Sequence, residues 1–291
     1  MEKRLYQLGI YEKAFPDKMP IYDMLKLVGE YNYDFFEISI DRTEDRISRL
    51  YIEEFSDECI RAMKANRIPI GSMCLSALGT YTMGHPDCSV TSRAMDILEH
   101  AVTFSSRLGI RIVQIPGCDV PKNESHTFDT KERYIENLFK AAEMASMYGV
   151  HLAIENMEDE FMDTVEKTME YVNRINSPYL QIYPDSGNIT SSSKKYDSDW
   201  KEDMWHGLGH YMGFHLKETR PNKYGGLFYG EGHVDFPSMV KKAWELGVRR
   251  FVMEYWYNEN GLWREDLNKA YKMFERWVNH AVRVPPDLCR R

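Results

Sequence analysis

No apolar run in this chain approaches the roughly 18 residues needed to cross a bilayer. The opening stretch MEKRLYQLGIYEK also lacks the apolar core of about 7–15 residues that marks a secretory leader. Both absences point to a cytoplasmic protein with no membrane partner. No GxGxxG follows the first apolar run and no Walker motif occurs, which disfavours a dinucleotide-binding sheet or a P-loop. Cysteine is scarce: five stand at 59, 74, 88, 118 and 289, an odd number with no CxxC. That usage fits free thiols in a reducing compartment rather than a disulfide framework. Positive charge is in deficit too, with 37 Lys and Arg against 45 Asp and Glu, a net charge of −8. Nucleic acid is thereby an improbable partner, because binding by counterion release needs a dense basic face. A small anionic substrate stays possible, since a few cations in one pocket act locally.

What is present speaks for a large folded unit. The hydrophobic fraction of 43% and aromatic fraction of 13% supply enough apolar surface to offset the entropy of ordering, so disorder is excluded. Short apolar runs recur along the chain at Tyr6–Ile10, Phe35–Ile40, Ile70–Leu75, Ile110–Ile115, His151–Ile154, Leu180–Tyr183, Tyr211–Leu216 and Phe251–Met253. Several are apolar at consecutive positions, as expected of parallel strands buried on both faces. Between them lie segments of helical period, such as Ile97, Ala101, Phe104 and Leu108, or Leu138, Ala142, Met144 and Ala145. Val165, Met169 and Val172 repeat the pattern, and so do Leu267, Tyr271, Phe274 and Val278. Gly109, Gly149 and Gly247 stand where helices should end. A strand every ~30–40 residues with a helix in each gap implies right-handed βαβ units, and eight of them make a (β/α)8 barrel. No Pro/Gly/Ser-rich linker interrupts the rhythm, so one domain over residues 1–291 is expected. The low-complexity patch Ser191–Lys195 reads as a loop ahead of a helix.

In such a barrel the chemistry sits at the carboxyl ends of the strands. The fifth run, HLAIEN, delivers Glu155 there; the sixth, LQIYPDSGN, delivers Asp185. The seventh, MGFHLKET, delivers His215 and Lys217, and the eighth, RFVMEYW, delivers Glu254. Glu155, Asp185, His215 and Glu254 are separated by 30, 30 and 39 residues, about one βαβ unit each, so they should meet. Three carboxylates crowded together repel, and a divalent cation resolves the conflict. An oxygen-rich set with one histidine suits Mn²⁺, Mg²⁺ or Co²⁺, with Zn²⁺ also possible. The other histidines, among them His151, His206, His210 and His233, form no HExxH and no second cluster with acids.

At these residues the chain resembles the xylose-isomerase-like barrel superfamily of sugar isomerases and epimerases. Within it, the closer resemblance is to the L-ribulose/L-xylulose 5-phosphate 3-epimerase family. The matching segments are LGIYEKAFP, DFFEISID followed by RISRL, SMCLSA, LGIRIVQIPG, LAIEN, QIYPDSGN, FHLKETRP, YGEGHVDF and MEYW, from about Leu8 to Trp256. The resemblance implies one metal ion, Mn²⁺ first, held by Glu155, Asp185, His215 and Glu254. It also implies Glu155 and Glu254 as the acid/base pair on a ketopentose phosphate. Epimerisation at C3 removes a proton beside the C2 carbonyl and returns one from the other face, which needs a base on each side. Substrate contacts are expected from Lys217, Arg220, Glu158 and Lys13, and a homo-oligomer is expected. After SMCLSA the family continues with a histidine and two arginines, whereas this chain has Leu78-Gly79-Thr80-Tyr81. Tyr81 with Leu78 and Met83 would suit a non-phosphorylated ketose or a bulkier glycoside-derived one. A sugar isomerase or dehydratase on the same metal site is the nearest alternative. A repair endonuclease of similar fold is opposed by the net charge, and a non-catalytic sugar-binding relative by the presence of both glutamates.

Overall fold

The structure, a computed structural model, describes residues 4–259 and 261–282; Cys289 lies outside them. Eight parallel strands run in the order β6-β5-β4-β3-β2-β1-β8-β7. They are β1 (Gln7–Tyr11), β2 (Phe35–Ser39), β3 (Ile70–Cys74), β4 (Ile112–Pro116), β5 (His151–Glu155), β6 (Leu180–Ile182), β7 (Phe214–Lys217) and β8 (Arg250–Glu254). The sheet curls until β6 meets β7. There the pairing thins to two parallel bridges, Ile182 with Tyr211 and Asp185 with His215. Pro184 sits in this seam without an N–H, yet its carbonyl accepts the amide of His215 at 2.9 Å, so the closure survives the interruption.

The period of two along each strand separates two cores. One set of side chains, including Leu8, Ile10, Phe36, Ile38, Val113, Leu152, Phe214 and Phe251, packs outward against the helices. The other set points into the barrel, where Tyr11, Phe35, Cys74, Ile112, Ala153, Tyr183 and Val252 form a small separate cluster. Above that apolar floor the inward positions turn polar: Glu37, Ser72, Gln114, Glu155, His215 and Glu254 are all buried.

The helices are α1 (Ile21–Glu30), α2 (Glu44–Ser48), α3 (Glu53–Asn66), α4 (Cys88–Leu108), α5 (Phe128–Met147), α6 (Val165–Ile175), α7 (Ser186–Tyr196), α8 (Trp200–Trp205), α9 (Phe236–Glu245) and α10 (Trp263–Val282). Their starts follow from capping side chains. Thr127 and Thr130 make a reciprocal box ahead of α5, Thr164 caps α6, and Asp185 accepts the amide of Asn188 at 2.8 Å to start α7. Gly109, Gly149 and Gly247 carry φ of 80°, 64° and 89°, the left-handed turn that ends α4, α5 and α9. α6 buries Val165, Met169, Val172 and Ile175, each contributing about 1.5–3 kcal/mol over an exposed position. The patch Ser191–Lys195 is not a loop but the second half of α7. Of its serines, Ser192 Oγ bonds back to the Ile189 carbonyl at 3.0 Å, Ser191 Oγ reaches the Thr219 hydroxyl and Ser193 Oγ the Ser198 carbonyl beyond the helix end. Cys59, Cys74 and Cys118 are buried and Cys88 is exposed, all as free thiols.

Candidate metal centre and active site

Because β5, β7 and β8 end in register, Lys217 lies beside Glu254 across the β7–β8 pair, and Glu155 lies beside Pro116 across β4–β5. The seam places Asp185 opposite His215. One ligand atom from each of Glu155, Asp185, His215 and Glu254 falls within 4.8 Å of the others, and all four residues are buried. The ring of His215 is the centre. Its Nδ1 is 3.1 Å from Glu155 Oε1 and 3.0 Å from Glu254 Oε2. A single ring nitrogen can direct one N–H to only one of them. Glu155 Oε1 makes the hydrogen bond, while Glu254 Oε2 and Asp185 Oδ2 are buried without a hydrogen-bond partner. Buried polar atoms are seldom left so. Two orphaned carboxylate oxygens beside an imidazole nitrogen and a third carboxylate form a donor set that could hold a divalent cation.

Supporting contacts hold the set in place. The Gln114 amide donates to Glu155 Oε2 at 2.6 Å. The Asp185 amide donates to Asn156 Oδ1 at 2.9 Å, and Asn188 Nδ2 to the Asn156 carbonyl at 2.8 Å. Asp185 Oδ1, already engaged at the start of α7, also faces Lys217 Nζ at 3.1 Å. The fields are strong because all of these groups are buried. Burial pushes Glu155 upward and pushes Asp185 up to about 7. Burial would raise Glu254 as well, but Lys217 and His215 pull it down to about 2. Burial alone would lower Lys217; Asp185, Glu254 and Glu155 outweigh it and hold the ammonium well above its usual value.

The four expected ligands therefore converge, but the expected substrate contacts do not all gather. Lys217 belongs to the acid cluster itself. Glu158 is half-buried beside it on the wall of a cavity of about 370 Å³, with Asn188, Ser191, Lys194 and His233. Lys13 stands at the rim, paired to Asp41 at 3.0 Å. Arg220 is exposed, in a turn whose backbone pairs with Lys223. Leu78 and Met83 pack in the core between strands and helices, and the Tyr81 hydroxyl donates to Glu44 at 3.1 Å. The residue that sequence reasoning passed over is Glu37, fully buried on β2 with its Oε1 2.6 Å from His215 Nε2. The signal was there: FFEIS puts one carboxylate inside an otherwise apolar strand.

The chain belongs to the xylose isomerase-like TIM barrel family, whose match spans residues 25–273. Among its relatives, L-ribulose-5-phosphate 3-epimerase of Escherichia coli (strain SMS-3-5) is 34% identical over 251 residues, covering 86% of this chain and 87% of that one. The enzyme of the same name from Escherichia fergusonii matches equally, at 34% over 251 residues. In shape the chain is similar to a solved L-ribulose 3-epimerase, with TM-score 0.75, 18% identity and coverage of 98% and 99% of the two chains. It is likewise similar to apo 3-keto-D-glucoside 4-epimerase from E. coli, with TM-score 0.71, 15% identity and coverage of 92% and 99%.

Proposed function

We propose that this chain is an isomerase: a metal-dependent ketose 3-epimerase that interconverts L-ribulose 5-phosphate and L-xylulose 5-phosphate. The observation that carries the reading is the pair Glu155 and Glu254. They come from non-adjacent strands, yet end 3.1 and 3.0 Å from one ring nitrogen of His215. The 34% identity to enzymes named L-ribulose-5-phosphate 3-epimerase supports the choice of substrate.

The C2 carbonyl of a ketose acidifies the hydrogen on C3. Inverting that carbon takes a proton from one face and returns one to the other, so two positioned carboxylates are needed. In this reading one of Glu155 and Glu254 accepts the C3 proton and the other delivers one, and the reverse reaction exchanges the roles. Glu155, Asp185, His215 and Glu254 hold one divalent ion, Mn²⁺ first, with Co²⁺, Mg²⁺ or Zn²⁺ as substitutes. When bound, the ion polarises the carbonyl and offsets the negative charge that develops as the proton leaves. Lys217 and Glu158 orient the sugar oxygens, and Arg220 and Lys13 receive the phosphate. We place the enzyme in the cytoplasm as a homo-oligomer, with the chain acting as one barrel domain over residues 1–291.

The test follows deuterium from D₂O into a panel of ketoses and their phosphates by NMR. The reading expects exchange at C3 together with inversion. Exchange confined to C1 would instead identify an aldose–ketose isomerase. For the phosphate, Arg220→Ala should raise KM for the pentulose phosphate far more than for the free pentulose; equal effects would remove Arg220 from phosphate recognition.

A further inference from the structure

Glu37 is a carboxylate with no access to solvent, and its nearest hydrogen-bonding partners are all donors or can serve as donors. Oε2 accepts from Ser72 Oγ at 2.6 Å and from Tyr183 OH at 3.1 Å. Oε1 faces His215 Nε2 at 2.6 Å. With both hydroxyls donating to Oε2, Oε1 is presented to the ring as an acceptor, so the ring hydrogen facing it sits on Nε2. The other nitrogen, Nδ1, is the one that faces Glu155, Asp185 and Glu254, and it would offer its lone pair to a cation held among them. Burying a carboxyl group without partners is expensive, and the surroundings hold this one in one orientation. Ser72 stands across from Glu37 in the β2–β3 register. Tyr183 can lie flat in the barrel because residue 213 is glycine: a Cβ there would strike the tyrosine ring.

We propose that Glu37 is the positioning residue of the metal centre. It locks His215 in the Nε2–H tautomer, with Nδ1 as the metal ligand, and Ser72 and Tyr183 fix Glu37 in turn. This rests on the metal site of the proposed function, but not on the substrate assigned to it. Carboxylates that hold a ligand histidine in this way commonly sustain 10–100-fold of metal affinity. Glu37→Gln can turn its amide N–H toward His215 Nε2, which would force the hydrogen onto Nδ1 and block coordination.

The experiment measures Co²⁺ and Mn²⁺ affinity by chelator competition, together with the visible Co²⁺ spectrum, in wild type, Glu37→Gln and Ser72→Ala. The proposal expects Glu37→Gln to lose 10–100-fold in affinity and to change the Co²⁺ spectrum. Ser72→Ala, which keeps the Oε1 bond to the ring, should lose only a few-fold. A folded Glu37→Gln with wild-type affinity and spectrum overturns the proposal. A second measurement needs no variant. In Zn²⁺-loaded wild type, two-bond ¹H–¹⁵N spectra should show the imidazole that responds to zinc protonated at Nε2 and metal-shifted at Nδ1. The opposite pattern overturns the proposal even where Glu37→Gln fails to fold. If wild type binds no divalent cation, the metal reading itself falls; if wild type binds and Glu37→Gln binds equally, only the role of Glu37 falls.

Discussion

Glu155 and Glu254 are the same side chain in two different fields. Burial prevails at Glu155; at Glu254 burial is again the largest single effect, but Lys217 and His215 together outweigh it. Glu155→Gln and Glu254→Gln keep the size and one ligand oxygen, so the losses should fall mainly in kcat, on the order of 10²–10⁴-fold. A surviving base still exchanges the proton on its own face. Each variant should therefore wash deuterium into one epimer without inverting it, and the two variants should act on opposite epimers; near-normal epimerisation in both would make the glutamates ligands only. His215→Ala removes a ligand, so metal affinity and kcat should fall together. On the wall of the cavity beside the site, Asp163 is held below the ordinary aspartate range. Burial works against this, but bonds from Lys167, Tyr196 and Lys195 prevail. A lowered folded value means its stabilisation is present in full above the unfolded pKa of 3.8 and is lost as the pH falls from there through the folded value. Asp163→Asn should cost about 1–3 kcal/mol near neutrality, and its melting curve should converge with that of wild type in acid. A gap that stays constant with pH would mean the charge of Asp163 contributes nothing.

At the scale of elements, the seam between β6 and β7 matters most, because it carries Asp185 and His215. The run Tyr211–Leu216 looks like a strand of six residues. In the barrel only Phe214–Lys217 is strand, and Tyr211 makes a lone bridge to Ile182. The apolar pattern shows where such a segment lies but not how its neighbour is interrupted, and Pro184 with the short β6 shifts the ladder. Gly213 occupies this seam under the ring of Tyr183. Gly213→Ala should displace the ring, weaken its bond to Glu37, and destabilise the barrel by about 1–3 kcal/mol through overpacking. Metal affinity should fall with it although no ligand has changed, as chelator competition would measure. Unchanged affinity would show that the seam accommodates the methyl group without moving Tyr183.

For the whole molecule, a cation held by Glu155, Asp185, His215 and Glu254 would tie together the ends of β5, β7 and β8 and the segment after β6. It should stabilise the fold by linkage, about 2.7 kcal/mol at a hundredfold excess over Kd. Chelation should therefore abolish activity and lower the melting temperature together, and Mn²⁺ or Co²⁺ should restore both. Full activity in metal-free protein would rule the centre out. The barrel and the meeting of Glu155, Asp185, His215 and Glu254 are legible in the sequence. Strand and helix differ in apolar period, and a carboxylate or imidazole ending an apolar run is visible in one dimension, as in HLAIEN and RFVME. Glu37 was equally visible in FFEIS, but its partner His215 stands 178 residues away, and no local pattern encodes that meeting. Lys217 likewise reads as a cation for the substrate, and only the β6–β7 seam sets it against Asp185. Tertiary structure decided these pairings because closing a barrel brings inward side chains of distant strands to one axis, where burial makes every charge seek a partner.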